Sequence, residues 1–350
     1  MNFDLSPEQQ AIKQAARDFL AGKSDLRAVR RQVELGTYDD ALWVGAKNQG
    51  WTGIAVAEES AGAGLGFVEL SVVMEEFGYA CAPSPLLSNT AAVILLNSAG
   101  SDSQKATWLA ALAAGDRRGA VGVVGPDGTA IVADAEGADV LVLVDGESGG
   151  LVEPAGAQVE PVTVIDPTRR FFRVRAARTE PLPGDVAGAL ERIEVALSAE
   201  LVGVGQRAME MAVEYAKVRQ QFGRPIGAYQ AVSHRCAEML LEVESARSAT
   251  YFAAWAADAD PVALPVAASV AKAAAAEMGW KVAAAALQVH GGIGFTWEHD
   301  LHFFLKRAAA DARMFGSATA HRDRVAGLSG LGLDEVEAAA AAPAAELATV

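Results

Sequence analysis

The stretch Val213–Met239 constrains the fold more than any other. Ala208, Met209, Ala212, Val213, Tyr215 and Ala216 recur at helical spacing, which lays an apolar stripe along one face of a helix. Gly223 and Pro225 stop that helix. Glycine tolerates left-handed backbone, and proline has no N–H to donate. A second helical pattern begins at Tyr229, so two long helices must double back through a short turn. The same turn presents Arg219, Gln220, Gln221 and Phe222 side by side. Arginine can fork onto a diphosphate, an amide can bond to it, and a phenyl ring can pack on an aromatic face. A solvated Arg/Gln face with a phenylalanine plugging the turn is the alternative, and these residues alone leave both open.

From Val186 onward, helical patterns cover 186–219, 229–258, 262–289 and 299–326, enough for a four-helix bundle. Pro265, Lys272, Glu277 and Lys281 interrupt the Ala-rich third pattern, so a soluble helix is expected there rather than a membrane span. Gln288–Phe295 lies between the third and fourth patterns. Its Gly291, Gly292 and Gly294 make either a loop of close approach to a ligand or a plain helix cap. Residues 1–115 read as a helical domain opened by Ser6, Pro7 and Gln9, a capping box. The Gly-rich run Glu58–Gly66 lacks the nucleotide fingerprints and reads as a structural loop. Residues 116–180 change to short β-like runs at Ala120–Val124, Ala130–Ala133, Val140–Val144 and Phe171–Val174, a small antiparallel sheet or barrel. Thr179–Asp185 is a linker, and 327–350 an Ala/Gly-rich tail expected to fray. The fold class expected is mainly α with a small central β domain.

The formal charge of −15 argues against a nucleic-acid partner. Cys81 and Cys236 are too few for a disulfide framework or zinc cluster, and the N-terminus lacks the basic-then-apolar order of a signal peptide. The expected compartment is the cytoplasm. His299 and His302 stand at helical spacing but without a carboxylate-rich shell, so no metal is expected.

A helical domain, a small β domain and a helical bundle, in that order, resemble the acyl-CoA dehydrogenase superfamily. Arg219-Gln220-Gln221-Phe222-Gly223-Arg224-Pro225-Ile226 with Gln230, followed by Gln288-Val289-His290-Gly291-Gly292-Ile293-Gly294-Phe295, carry the resemblance, along with Leu5–Gln9 and the early Gly-rich loop. The resemblance implies FAD shared across a subunit interface. Arg219, Gln221, Phe222, Gln288, Gly291 and Gly292 would hold the adenine-diphosphate end of a neighbour's FAD. It also implies an acyl-CoA substrate, with an electron-transfer flavoprotein as acceptor. A carboxylate would take the α-proton while the β-hydrogen leaves as hydride to the flavin.

Two departures qualify it. The family's base usually stands in a Tyr-Glu-Gly-Thr-like run, and here that place is in Ala312–Ser317, with Phe315 where glutamate would be. Some members carry the base on the first bundle helix instead, a position that falls near Ile193. Ile193 cannot serve. Glu194 lies about 100° around the helix from it, with Glu191 and Glu200 nearby. The middle domain also lacks the family's flavin-ring strands and any tryptophan. The combination resembles the short subunit of heterotetrameric, steroid side-chain-degrading acyl-CoA dehydrogenases, which pairs with a longer subunit as α2β2. The alternatives are a self-sufficient homo-oligomeric dehydrogenase with a relocated base (Glu194 or Glu200), a non-redox scaffold or acyl-CoA-binding protein, and a flavin monooxygenase-like relative.

Overall fold

The structure is a computed structural model, and it describes residues 4–331. The chain opens with the capping box: Gln9 N–H donates to Ser6 Oγ at 3.2 Å, and Ser6 N–H donates to Gln9 Oε1 at 2.9 Å. Helices α1 (Pro7–Lys23), α2 (Leu26–Leu35), α3 (Asp40–Asn48), α4 (Phe67–Tyr79) and α5 (Leu86–Ala99) follow. Next come α6 (Asp102–Gln104) and α7 (Ala110–Ala113), joined by a π-helical turn at Lys105–Leu109. The Gly-rich loop folds back on 53–56, with Ala63 N–H bonded to the Gly53 carbonyl and Gly64 N–H to that of Val56. A Cβ on Gly62 would stand 2.1 Å from the Val56 carbonyl oxygen, so only glycine permits that approach.

Seven strands form the middle of the chain: β1 (Gly119–Val123), β2 (Ala130–Ala133), β3 (Val140–Asp145), β4 (Ser148–Val152), β5 (Ala157–Val162), β6 (Phe171–Ala176) and β7 (Glu180–Pro181). They make two sheets, ordered β1-β3-β4-β7 and β2-β6-β5. β1 and β3 pair in parallel, which corrects the expectation of a wholly antiparallel sheet. The physical reason is that β2 leaves for the other sheet, so the chain returns to β1 running in the same direction. β4 went unread because Gly149-Gly150 look like a turn; a Cβ on Gly150 would meet Thr179 Oγ1 at 2.3 Å. Ala120, Val132, Leu141, Leu143, Phe172 and Val174 form the core of this region.

The bundle consists of α8 (Val186–Val218), α9 (Gln230–Ala259), α10 (Leu264–His290), α11 (Leu301–Asp311) and α12 (Ala318–Leu328). Two-residue strands β8 (Gln220–Gln221) and β9 (Arg224–Pro225) join α8 to α9. The fourth helical pattern is thus two helices, broken where Phe315 (φ 54°) and Gly316 (φ 108°) adopt positive φ. α8 is the central element, packed on α4, α5, α9, α10 and α11. Its crossing with α4 brings backbones into contact. A Cβ on Gly203 would lie 1.8 Å from the Glu75 carbonyl oxygen, and one on Gly78 would lie 1.9 Å from that of Glu200. Beyond Leu331 the Ala/Gly-rich tail lies outside the described residues. Among those described, no helix is long and apolar enough to cross a membrane.

Candidate cofactor and active-site regions

The Arg219 turn is a tight hairpin. Gln221 pairs with Arg224, and the two residues between them, Phe222 (φ 52°) and Gly223 (φ 81°), both take left-handed backbone. Arg219 caps α8, its N–H bonded to the Tyr215 carbonyl at 2.8 Å. Its guanidinium has no ion-pair partner among the described residues. Phe222 is 93% exposed, an unusual placement for a phenyl ring on a hairpin tip. Tyr229 steadies the tip from below: its hydroxyl donates to the Gln221 carbonyl at 3.2 Å, and its ring meets Phe222 edge-on. Arg224 lies 4.1 Å over the Tyr229 ring.

The second glycine motif ends α10 beside this turn. The two are joined by Tyr215 stacked on His290, with centroids 4.5 Å apart, and His290 in turn contacts His299. His290 Nδ1 donates to the Ala286 carbonyl at 2.8 Å, and burial lowers its pKa. Gln288 is exposed. Gly291 takes φ 64°, ψ −141°, a region reserved for glycine, and its N–H caps α10 on the Gln288 and Leu287 carbonyls. A Cβ on either Gly291 or Gly292 would meet nothing within 4 Å. What this loop offers a ligand is therefore bare, open backbone.

A cavity of about 470 Å³ lies elsewhere, between β1, the first turns of α8 and the break before α12. Val121, Val123, Ile131, Leu190 and Phe315 give it an apolar wall. Glu194 and Arg313 are its charged side chains, and no hydroxyl side chain lines it. Ile193, one residue earlier, is fully buried in the core. Glu194 is itself buried, with Oε2 3.5 Å from Arg324 and 3.9 Å from His321 Nδ1. Burial pushes its pKa up to about 7, with Glu191 adding to the rise and Arg324 and Lys272 opposing it. Glu191 pairs with Arg324. Phe315 packs against the core, and its carbonyl accepts from His321 Nε2 at 3.0 Å. Lys272, buried in α10, donates to the Ala312 and Gly316 carbonyls at 3.1 and 3.0 Å. Burial lowers the pKa of this lysine to about 8. The turn carrying Phe315 is thus tied down by Lys272 and His321, two residues that sequence reasoning passed over. Neither shows a local signal: Lys272 interrupts an alanine run, and His321 stands alone.

Glu200 occupies different ground. Both its oxygens accept from Arg169, and Oε1 accepts from Arg307 at 2.7 Å. Arg169 also bonds Asp311 at 3.0 Å, and Arg307 bonds Asp166 at 2.9 Å. All five side chains are buried, and the cluster joins the sheet region to the bundle. A carboxylate held by two arginines is poorly placed to accept a substrate proton.

FAD would suit these two regions unequally. The Arg219 turn and the Gly291 loop fit its adenine-diphosphate end: a guanidinium with no ion-pair partner among the described residues, an exposed amide, an exposed ring and open backbone. The side chains of the Glu194 cavity fit the polar edge of a flavin ring poorly, because hydroxyl donors are absent from its lining.

Comparison with known proteins places the fold. A family model described as acyl-CoA dehydrogenase, N-terminal domain, matches residues 6–116, and one described as acyl-CoA dehydrogenase, C-terminal domain, matches 186–327. Acyl-CoA dehydrogenase IpdE2 of Mycobacterium tuberculosis is 36% identical over 312 residues, covering 89% of this chain and 93% of that protein. Acyl-CoA dehydrogenase FadE34 of the same organism is 33% identical over 355 residues, covering 94% of this chain but 48% of that protein. Among solved structures, a variant of the Tcur3481-Tcur3483 steroid ACAD superposes with a TM-score of 0.84 at 27% identity, covering 95% of this chain and 99% of that one. PigA solved with FAD and proline superposes at 0.85 and 24% identity, over 95% of this chain and 100% of its own. Two family models on either side of the sheet region and relatives above 30% identity along most of the chain agree with the fold, and the chain belongs to the acyl-CoA dehydrogenase family.

Proposed function

We propose that this chain is one subunit of an FAD-dependent acyl-CoA dehydrogenase that introduces an α,β double bond into an acyl-CoA thioester of the steroid side-chain class. In this reading it completes the adenine-diphosphate half of an FAD whose ring is held by a longer homologous subunit, in an α2β2 assembly that passes electrons to an electron-transfer flavoprotein.

One observation carries the reading. Arg219 caps the C-terminal end of α8, and Glu194 stands toward its N-terminal end. At 1.5 Å per residue they are roughly 37 Å apart along its axis, farther than one extended FAD reaches. A cofactor gripped by Arg219 therefore has its reactive ring outside this chain's own cavity. The lining of that cavity supports the same division, as does the FadE34 match, which leaves about half of that longer protein for a second unit. The steroid class rests on the relatives: one is named a steroid ACAD, and its name joins two components. FAD supplies the hydride-accepting ring when bound. This chain's residues supply charge and contact: Arg219 to the diphosphate, Gln221 and Gln288 to its polar rim, Phe222 to the adenine face, and Gly291 and Gly292 the clearance.

The test is a visible spectrum. The chain purified alone is expected to be colourless, and its complex with the longer homologue yellow, with Arg219→Ala lowering FAD retained by the complex. One FAD per isolated chain, reduced by an acyl-CoA, would overturn the proposal.

A second reading is favoured by one observation: Glu194 is a buried carboxylate with pKa near 7, facing the cavity. A base poised near neutrality suits α-proton abstraction. If this chain catalyses with its own site, Glu194 is the base rather than Glu200, and Glu194→Gln abolishes turnover while FAD content stays unchanged.

A further inference from the structure

His321, on α12, is buried behind Glu194. Its Nε2 lies 3.0 Å from the Phe315 carbonyl oxygen. A carbonyl only accepts, so Nε2 carries the hydrogen, and Nδ1 of the neutral ring is left as an acceptor. That Nδ1 is buried and has no hydrogen-bond partner among the described residues. The carboxyl facing it is Glu194, with Oε2 at 3.9 Å. An ionised Glu194 would set lone pairs against lone pairs and leave Nδ1 orphaned. A protonated Glu194 makes the two groups donor and acceptor, and a small turn of the carboxyl brings them to bonding distance.

The surrounding charges do not remove this need. On α8, Glu191 adds negative charge. On α12, Arg324 is divided between Glu191 and Glu194. On α10, Lys272 is engaged by the Ala312 and Gly316 carbonyls, while Arg313 is exposed at the cavity wall.

We propose that Glu194 and His321 form a proton-sharing dyad behind the cavity, with His321 as the positioning residue that sets the orientation and protonation of Glu194. Its catalytic consequence rests on the second reading above. The substrate's α C–H bond breaks, and its proton forms an O–H bond on Glu194. The electron pair of that bond stays with the substrate, delocalised onto the thioester carbonyl as an enolate. The new Glu194 O–H then donates to His321 Nδ1, so the imidazole stabilises the state that proton abstraction creates. Burial acts in the same sense on both partners, raising the carboxyl pKa and lowering that of His321 to about 4, which keeps the ring neutral.

Infrared titration of the full chain tests the dyad. A protonated-carboxyl band is expected at pH 6, absent from Glu194→Gln. In His321→Gln, which keeps a donor for the Phe315 carbonyl but loses the Nδ1 acceptor, its midpoint should fall by about one pH unit, the size of one lost hydrogen bond. In His321→Asn, whose amide oxygen stands where Nδ1 stood, the midpoint should stay. A role confined to holding the turn would give the reverse pattern. Should the His321 variants fail to fold, the Nδ1 nitrogen resonance of the wild-type chain must move with the carboxyl titration and lose that dependence in Glu194→Gln. No Glu194-dependent band at pH 6, an unmoved midpoint in His321→Gln, or an Nδ1 resonance indifferent to Glu194→Gln would each overturn the dyad. Full turnover by the Glu194→Gln assembly would instead remove the base reading and leave the infrared result to decide the dyad.

Discussion

Three glutamates on one helix show how much a residue's surroundings decide. Glu191 pairs with Arg324, Glu200 is enclosed by Arg169 and Arg307, and Glu194 faces a cavity with weaker compensation. Because the folded chain holds a proton on Glu194 up to about pH 7 against an ordinary value of 4.5, it binds that proton more tightly than the unfolded chain within this window. Stability from this group is complete below about pH 4.5 and is lost as pH rises toward 7. The loss is on the order of 3 kcal/mol. Glu194→Gln should flatten that part of the stability curve, and denaturant melts of both proteins between pH 4.5 and 7 check it. At the hairpin tip, Phe222 holds left-handed backbone that costs a phenylalanine about 1 kcal/mol. Phe222→Asn should raise the chain's stability by up to that amount while lowering FAD retention in the assembly. Thermal melts and flavin content measure the two effects separately.

At the scale of elements, α8 carries Glu194 toward its N-terminal end and Arg219 at its C-cap, and between them it is held against α4 by bare backbone contact. Gly203 and Gly78 let α4 and α8 approach until a Cβ would overlap a carbonyl oxygen. Neither backbone can yield as a flexible side chain would. Gly203→Ala should therefore cost about 3 kcal/mol, read as a drop in denaturation midpoint with an unchanged slope. The break between α11 and α12 follows similar logic. Phe315 and Gly316 turn the chain at positive φ, and donors from Lys272 and His321 satisfy the carbonyls this exposes. Helical periodicity runs through this break unaltered, which is why the sequence read as one helix.

For the whole molecule, the buried cluster of Asp166, Arg169, Glu200, Arg307 and Asp311 ties the sheet region to the bundle, and Arg307 also reaches the Ala82 carbonyl among the N-terminal helices. Removing one partner leaves uncompensated charge in a dry interior. Arg307→Met should destabilise by about 3–5 kcal/mol and separate unfolding of the parts, seen as a second calorimetric transition. The surface carries its own message. Arg219, Phe222 and Gln288 are exposed, and the Arg219 guanidinium has no ion partner in the described chain.

Local pattern alone placed most helices, because an apolar stripe at helical spacing records which side of an element meets the core. It also located the Arg219 turn and the Gly291 loop, where residue chemistry and backbone freedom are visible one position at a time. Strand direction was beyond it: β1 and β3 run parallel only because β2 belongs to another sheet. The burial of a carboxylate beside particular partners was equally invisible. Glu194 and Glu200 lie on one helix, yet one meets a cavity and a histidine from α12 while the other meets arginines from a loop and from α11. Periodicity reports that a residue is inward, but only the folded chain brings together the distant groups that set its charge.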